Sequence, residues 1–177
     1  MTSIETERLV LRPFVPQDAA HLFEYLHQPT ADCFLSLTLP DLDTATAEAK
    51  KRAAGEDYIR VCLKQSGLLI GDVFAIPEED TFSIGWNFNP RFAGKGYAFE
   101  AAAATVKYLF TLRNARRLYA YVESTNTSSM RLCEKLGMRR EGVFKEYISF
   151  KTDSESSPIY VDTMQYAVLR KEWNLPG

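Results

Sequence analysis

The sequence is poor in the residues from which many catalytic and structural sites are built. Among 177 residues it has three cysteines and two histidines. Cys33, Cys62 and Cys133 are widely spaced and form no Cys-x-x-Cys pair, which argues against a disulfide framework or a zinc knuckle and fits reduced thiols. His21 and His27 stand too far apart for a helical metal pair, which needs a spacing of about three or four. A Ser-His-Asp triad and a metallohydrolase both lack their parts, and no metal is expected. Long apolar runs are missing as well. The longest, Leu68 to Ile70 and Ala101 to Ala104, fall far short of the roughly 20 residues of a membrane span. The first residues carry Glu5 and Glu7 where a secretory leader would be basic and then apolar, so a soluble, cytoplasmic chain is expected, with no membrane partner. There is no excess of either charge: 21 basic against 23 acidic residues leave a net −2. That balance argues against direct binding of nucleic acid through phosphate neutralisation.

What is present is ordinary globular material, 46% hydrophobic and 25% charged. The length suits one domain spanning residues 1–177. The spacing predicts a first strand over Glu7 to Phe14, ended by Pro13 and Pro16. A helix carrying Ala19, Leu22, Phe23 and Leu26 follows, then a second over Ala45 to Ala54 behind Asp41 and Asp43. Tyr58 to Lys64, Leu68 to Ile76 and Thr81 to Asn89 read as an antiparallel meander, linked by Gln65-Ser66-Gly67 and Pro77-Glu78-Glu79-Asp80. Tyr97 to Leu112 is apolar almost all round, which predicts a helix buried centrally on a sheet, with Phe99, Ala103, Val106 and Phe110 on one face. Arg117 to Glu123 is a strand, and Thr127 to Leu136 a helix stopped by Gly137. Gly142 to Phe150 and Ile159 to Leu169 are two final strands, joined by a polar loop over Lys151 to Pro158. The fold class is therefore α/β in the α+β sense: seven strands in a mixed, mostly antiparallel sheet, flanked by about four helices.

The segment that carries chemistry is Asn89-Pro90-Arg91-Phe92-Ala93-Gly94-Lys95-Gly96-Tyr97-Ala98. Gly94 and Gly96 allow a tight turn and a close approach by a ligand. The helix that follows offers free N–H groups and the positive end of its dipole, a setting for phosphate or pyrophosphate. Arg91 and Lys95 add positive charge. A P-loop would need Ser or Thr after Lys95, where Gly96 stands. A dinucleotide fingerprint would need a small residue at Phe99 and a place in the first strand-helix unit.

Arg91-x-x-Gly94-x-Gly96 resembles the acyl-coenzyme A loop of the GNAT superfamily of N-acetyltransferases. Asn126-x-x-Ser129, with Glu134-Lys135-Leu136-Gly137-Met138 behind it, is similar to a second motif of that superfamily. Glu5-Thr6-Glu7-Arg8-Leu9-x-Leu11-Arg12 and Asp162-x-x-x-Tyr166…Glu172-Trp173 resemble the branch that acetylates the N-termini of ribosomal proteins. The resemblance implies a sheet splayed after its fourth strand, with acetyl-coenzyme A as co-substrate in the V. It implies pantetheine paired along Ser83 to Phe88, past Trp86 on the cleft wall, and a diphosphate on the N–H groups of Phe92 to Ala98. A backbone N–H near Phe88 would stabilise the tetrahedral intermediate of direct attack by the amine. Ser129, with Asn126 beside it, would protonate the leaving thiolate. The tyrosine that many members use as that acid is replaced here by Cys133, which reads better as a small buried hydrophobe.

Glu123 and Glu146 are candidate bases, and Tyr147 and Asp162 candidate linings of the acceptor pocket. Acids in the loops Glu78 to Asp80 and Asp153 to Glu155 could steer a cationic acceptor. The implied acceptor is an amine, foremost a basic protein N-terminus beginning with alanine or serine. A small-molecule acceptor (polyamine or antibiotic) and a non-catalytic acyl-coenzyme A sensor are the alternatives. Monomer and homodimer both stay open.

Overall fold

The computed structural model describes residues 3–174. Its strands and helices, in chain order, are β1 (Ile4–Glu5), β2 (Leu9–Pro13), α1 (Ala19–Leu26), α2 (Leu42–Ala54), β3 (Tyr58–Leu63), β4 (Leu69–Glu78), β5 (Thr81–Phe88), α3 (Tyr97–Thr111), β6 (Arg117–Glu123), α4 (Thr127–Lys135), β7 (Arg139–Thr152) and β8 (Pro158–Leu169). They form one sheet of eight strands in the order β1-β2-β3-β4-β5-β6-β8-β7. The eighth strand, β1, was not expected: two residues fold back so that Ile4 and Glu5 pair with Leu11 and Val10, too short a stretch to leave a period of its own.

Every strand pair is antiparallel except β5 with β6. That pair runs parallel and holds only from Thr81–Ser83 to Arg117–Tyr119. Beyond it β5 stays on β4 through Phe88, while β6 stays on β8 through Glu123. The sheet therefore opens into a V at its centre, as the resemblance implied.

Helices cover both faces. On one, α3 and α4 pack over Phe82, Ile84, Leu118, Val122 and Val168. On the other, α1 and α2 bury Leu22, Leu26, Ala45 and Ala49 against Cys62 and Leu69. The α3 helix departs from the expected all-round burial. Its buried residues are Ala101, Ala102, Thr105, Val106, Leu109 and Phe110, a single stripe at helical spacing. Phe99 and Leu112 are exposed. Phe99 and Ala103 made that side look apolar without making it buried.

Asp41 caps α2 through Thr44 N–H, so that helix begins three residues earlier than its alanine run suggested. A 3-10 segment over Asp32–Leu37, unforeseen, lies between α1 and α2. β7 begins at Arg139 and β8 at Pro158, shrinking the expected polar loop to residues 153–157. β7 is an edge strand with three register shifts, between Arg140/Gly142, Phe144/Ile148 and Ser149/Lys151. These bulges erase the two-residue alternation that would have revealed its full length.

Candidate active site

The V is bounded on one side by the free edge of β5. Asn89 N–H donates to Ile70 C=O across the Gly71–Phe88 pair. This makes Phe88, and by alternation Trp86, residues whose N–H and C=O point away from β4, beyond the last β5–β6 bridge at Ser83 and Tyr119. These groups face the opening, where β6 has already diverged. An unpaired edge of this kind accepts an extended ligand as an added strand.

That edge runs into the glycine loop. Asn89 is buried and fixes the corner, accepting from Arg91 N–H at 3.1 Å and donating to Glu24 at 3.3 Å. Phe92 and Ala93 N–H donate to Asn89 and Pro90 C=O. Those two amides are thus used inside the turn, and of the expected Phe92 to Ala98 cradle the amides from Gly94 onward carry no such bond. Gly94 and Gly96 have φ of 75° and 81°, the left-handed region that favours glycine. Gly96 is the N-cap of α3 and brings no capping side chain. The N–H groups of Tyr97 and Ala98 at the start of α3 therefore have no protein acceptor among the described residues, and they lie at the positive end of a 15-residue helix. Lys95 extends over the Phe92 ring at 5.7 Å. Arg91, Ala93, Gly94, Lys95 and Gly96 are exposed. Backbone amides and flanking cations of this kind fit a diphosphate.

The N-terminal motif braces this loop. Glu100, in the first turn of α3, accepts from Thr6 Oγ1 at 2.6 Å, Arg8 N at 2.8 Å and Arg8 Nε at 2.7 Å. Arg8 also donates to Lys95 C=O at 3.0 Å and lies over the Tyr97 ring at 4.6 Å. Burial alone would raise the Glu100 carboxyl, but the hydrogen bonds from Thr6 and Arg8 outweigh it and hold the carboxyl below its ordinary value. Nothing in the order of residues 5–12 revealed this contact.

Across the V, Asn126 caps α4 by accepting from Ser129 N–H at 3.1 Å. Trp86 Nε1 donates to Ser129 Oγ at 3.2 Å, so the cleft-wall tryptophan is tied to the serine. The serine hydroxyl hydrogen has no acceptor among the described residues. Trp86, Asn126 and Ser129 line one cleft of about 370 Å³ between β5 and β6. Cys133 stands apart from it: it is fully buried in the core beneath α4, and burial pushes its thiol up to about 12.

Of the two base candidates, Glu123 lines the same cleft, 8% exposed at the end of β6. The Cys33 thiol faces it, pushed up to about 12 by burial first and then by the Glu123 charge and hydrogen bond. No cation pairs with Glu123 among the described residues. Glu146 is exposed on a bulge of β7 and does not reach the cleft lining. Asp162 holds that bulge, accepting from Lys145 at 2.7 Å and Glu146 N at 2.9 Å. Tyr147 is 57% exposed. Three acids of the two loops are occupied elsewhere: Asp80 pairs with Arg116, Glu78 accepts from Tyr119, and Asp153 accepts from loop amides. The terminal motif is structural, with Trp173 against Phe110 and Glu172 on Arg139.

Residues 8–139 match the acetyltransferase (GNAT) domain family. The Uncharacterized N-acetyltransferase YnaD of Bacillus subtilis is 34% identical over 97% of this chain and 99% of its own length. The crystal structure of a GNAT-family acetyltransferase from Bacillus anthracis superposes with a TM-score of 0.86 at 32% identity, over 97% of this chain and all of that one. The [ribosomal protein uS5]-alanine N-acetyltransferase of Escherichia coli is 31% identical, but over only 37% of this chain and 34% of its own. No described helix is long and apolar enough to cross a membrane. Open edge, uncapped helix and capped serine agree with these relationships, and the chain belongs to the GNAT acetyltransferase family, whose members transfer acetyl from acetyl-coenzyme A to an amine.

Proposed function

We propose that the free edge of β5, running straight into the uncapped start of α3, holds acetyl-coenzyme A, and that Ser129 and the Phe88 amide act on its thioester. This continuity of edge and helix start carries the reading. When bound, acetyl-coenzyme A supplies an acyl group that passes to the amine nitrogen, while its sulfur leaves as a thiol. The chain's own groups divide the work. Amides from Gly94 to Ala98, with Arg91 and Lys95, hold the diphosphate. Trp86 and Phe88 pair with the extended arm, and Phe88 N–H polarises the carbonyl. Trp86 fills one lone pair of Ser129 Oγ and so orients its hydrogen toward the departing sulfur. Glu123 takes the proton that the acceptor must lose.

The acceptor we favour is a chain N-terminus. The partial likeness to the uS5-alanine enzyme supports it, and so does the presence of a single acidic side chain in the cleft, which suits one ammonium better than a polyamine. Replacing Ser129 by Ala tests the assignment. It should lower kcat by roughly 10²-fold, at the low end for general acid catalysis, while leaving the stabilisation by acetyl-coenzyme A intact. An unchanged kcat would remove Ser129 as the acid.

A further inference from the structure

The cleft has two chemically different halves. Alternation along the strands sets Ile84, Trp86, Ala120 and Val122 toward α3 and α4, and Phe74, Gly85, Tyr121 and Glu123 toward α1 and α2. The first half holds the open edge and Ser129. The second half is aromatic: Phe34, Tyr58, Phe74, Tyr121 and Phe150 all border it. Gly85 makes room for this wall, since a Cβ there would stand 2.1 Å from the Phe74 ring. Tyr58 packs on the same ring, with centroids 5.9 Å apart. Beneath Tyr58, Arg52 is buried, 4.1 Å from its ring and 3.0 Å from Asp72. Its charge is therefore answered below the wall rather than inside the cleft.

Into this apolar half points one carboxylate, Glu123. Directly opposite it on β8, Thr163 is buried with a hydroxyl that has no hydrogen-bond partner. A buried carboxylate answered by one thiol, that of Cys33, and by no cation is costly. A ligand that brings one ammonium offsets that cost.

We propose that the acceptor is a primary amine with a single positive charge, whose nitrogen pairs with Glu123 and stands one or two carbons from a bulky apolar or aromatic group seated on the Tyr58–Phe74–Tyr121 wall. The inference rests on the acetyltransferase reading above and revises its acceptor: it keeps the single ammonium, requires a bulky neighbour and admits a free amine beside a chain terminus. Free arylalkylamines and chain N-termini with a large apolar first side chain share this chemistry. Polyamines do not, and neither do N-termini beginning with the small alanine or serine of the sequence-based expectation.

The test is thiol release from acetyl-coenzyme A with five acceptors: 2-phenylethylamine, peptides beginning with Phe, Ala or Ser, and spermidine. Melting with acetyl-coenzyme A, and with coenzyme A plus each amine, is measured alongside. We expect 2-phenylethylamine, the Phe peptide or both to exceed the other three at least tenfold in kcat/KM, the least that apolar complementarity in a pocket gives. Which of the two leads separates a free amine from a chain terminus. Glu123→Gln should raise KM for the preferred amine at least tenfold, and Phe74→Ala should erase the preference. Both variants should keep the full melting shift with acetyl-coenzyme A, the sign that they fold.

Equal or better transfer to spermidine or the Ala and Ser peptides overturns the inference and leaves the acetyltransferase standing. So does a Glu123→Gln enzyme with unchanged KM. Absence of transfer to all five, with no extra stabilisation by the apolar amines in the presence of coenzyme A, also overturns it. Absence of any acetyl-coenzyme A shift removes the site reading and the inference together.

Discussion

The two halves of the V offer different means of recognition. On the α3 side the means is backbone: the free edge of β5 and the amides after Gly94 need only a strand, a tight turn and a helix start. On the α1 side the means is side chains gathered from β3, β4, β6 and β7 and from the 3-10 segment between α1 and α2. Backbone recognition compresses into a short run with glycines at fixed places. Side-chain recognition spreads over a hundred residues and has no spacing to find.

The sharpest way to break this contrast is to crowd the backbone half. Gly96→Val adds a Cβ at φ 81°, 3.4 Å from the Arg8 guanidinium. Acetyl-coenzyme A at about 100 times its Kd should raise the wild-type melting temperature by roughly 5–10 °C. In Gly96→Val that shift should vanish, while the unliganded protein melts only a few degrees lower. A variant that still responds fully would mean that the diphosphate lies elsewhere.

A smaller effect separates the core beneath the site from the site itself. Cys133→Ser puts a hydroxyl among apolar neighbours at a fully buried position. We expect a loss of about 1–3 kcal/mol, seen as a fall of a few degrees in melting. Neither Cys133→Ser nor Cys133→Ala should change kcat at a temperature where both are folded. A tenfold fall in kcat would return the thiol to the proton chemistry.

The smallest effect concerns the brace. The Glu100 carboxyl is held below its ordinary value of 4.5 in the folded chain. Its contribution is therefore fully present above that value and fades as pH falls through the lowered one. The acetyl-coenzyme A melting shift should shrink in that acid range in the wild type. In Glu100→Gln it should be somewhat smaller already at neutral pH and should lose less on acidification. A parallel decline in both proteins would show that the brace is irrelevant to the loop.

Legibility followed the same division. The meander and the loop could be read because each is set by neighbours in sequence. The V could not be derived from periodicity, since β5 and β6 each alternate normally and part only in space; the family resemblance supplied it. The bulged edge of β7 and the two-residue β1 were invisible for lack of a regular period. Glu123 stood out only as one of two strand-end acids, with Glu146. Its distinction, burial without a cation, belongs to the tertiary structure. The acids of the loops drew notice by clustering, yet Asp80, Glu78 and Asp153 face Arg116, Tyr119 and local amides.

Glu100 meets Arg8 across 92 positions of chain. A glycine turn that looks self-contained is thus finished by a partner from the far end of the fold. Such a turn cannot acquire its final shape as an isolated fragment, because closing so long a loop waits on the sheet between its ends. Competence to bind should consequently emerge late in refolding, in step with global structure and not ahead of it.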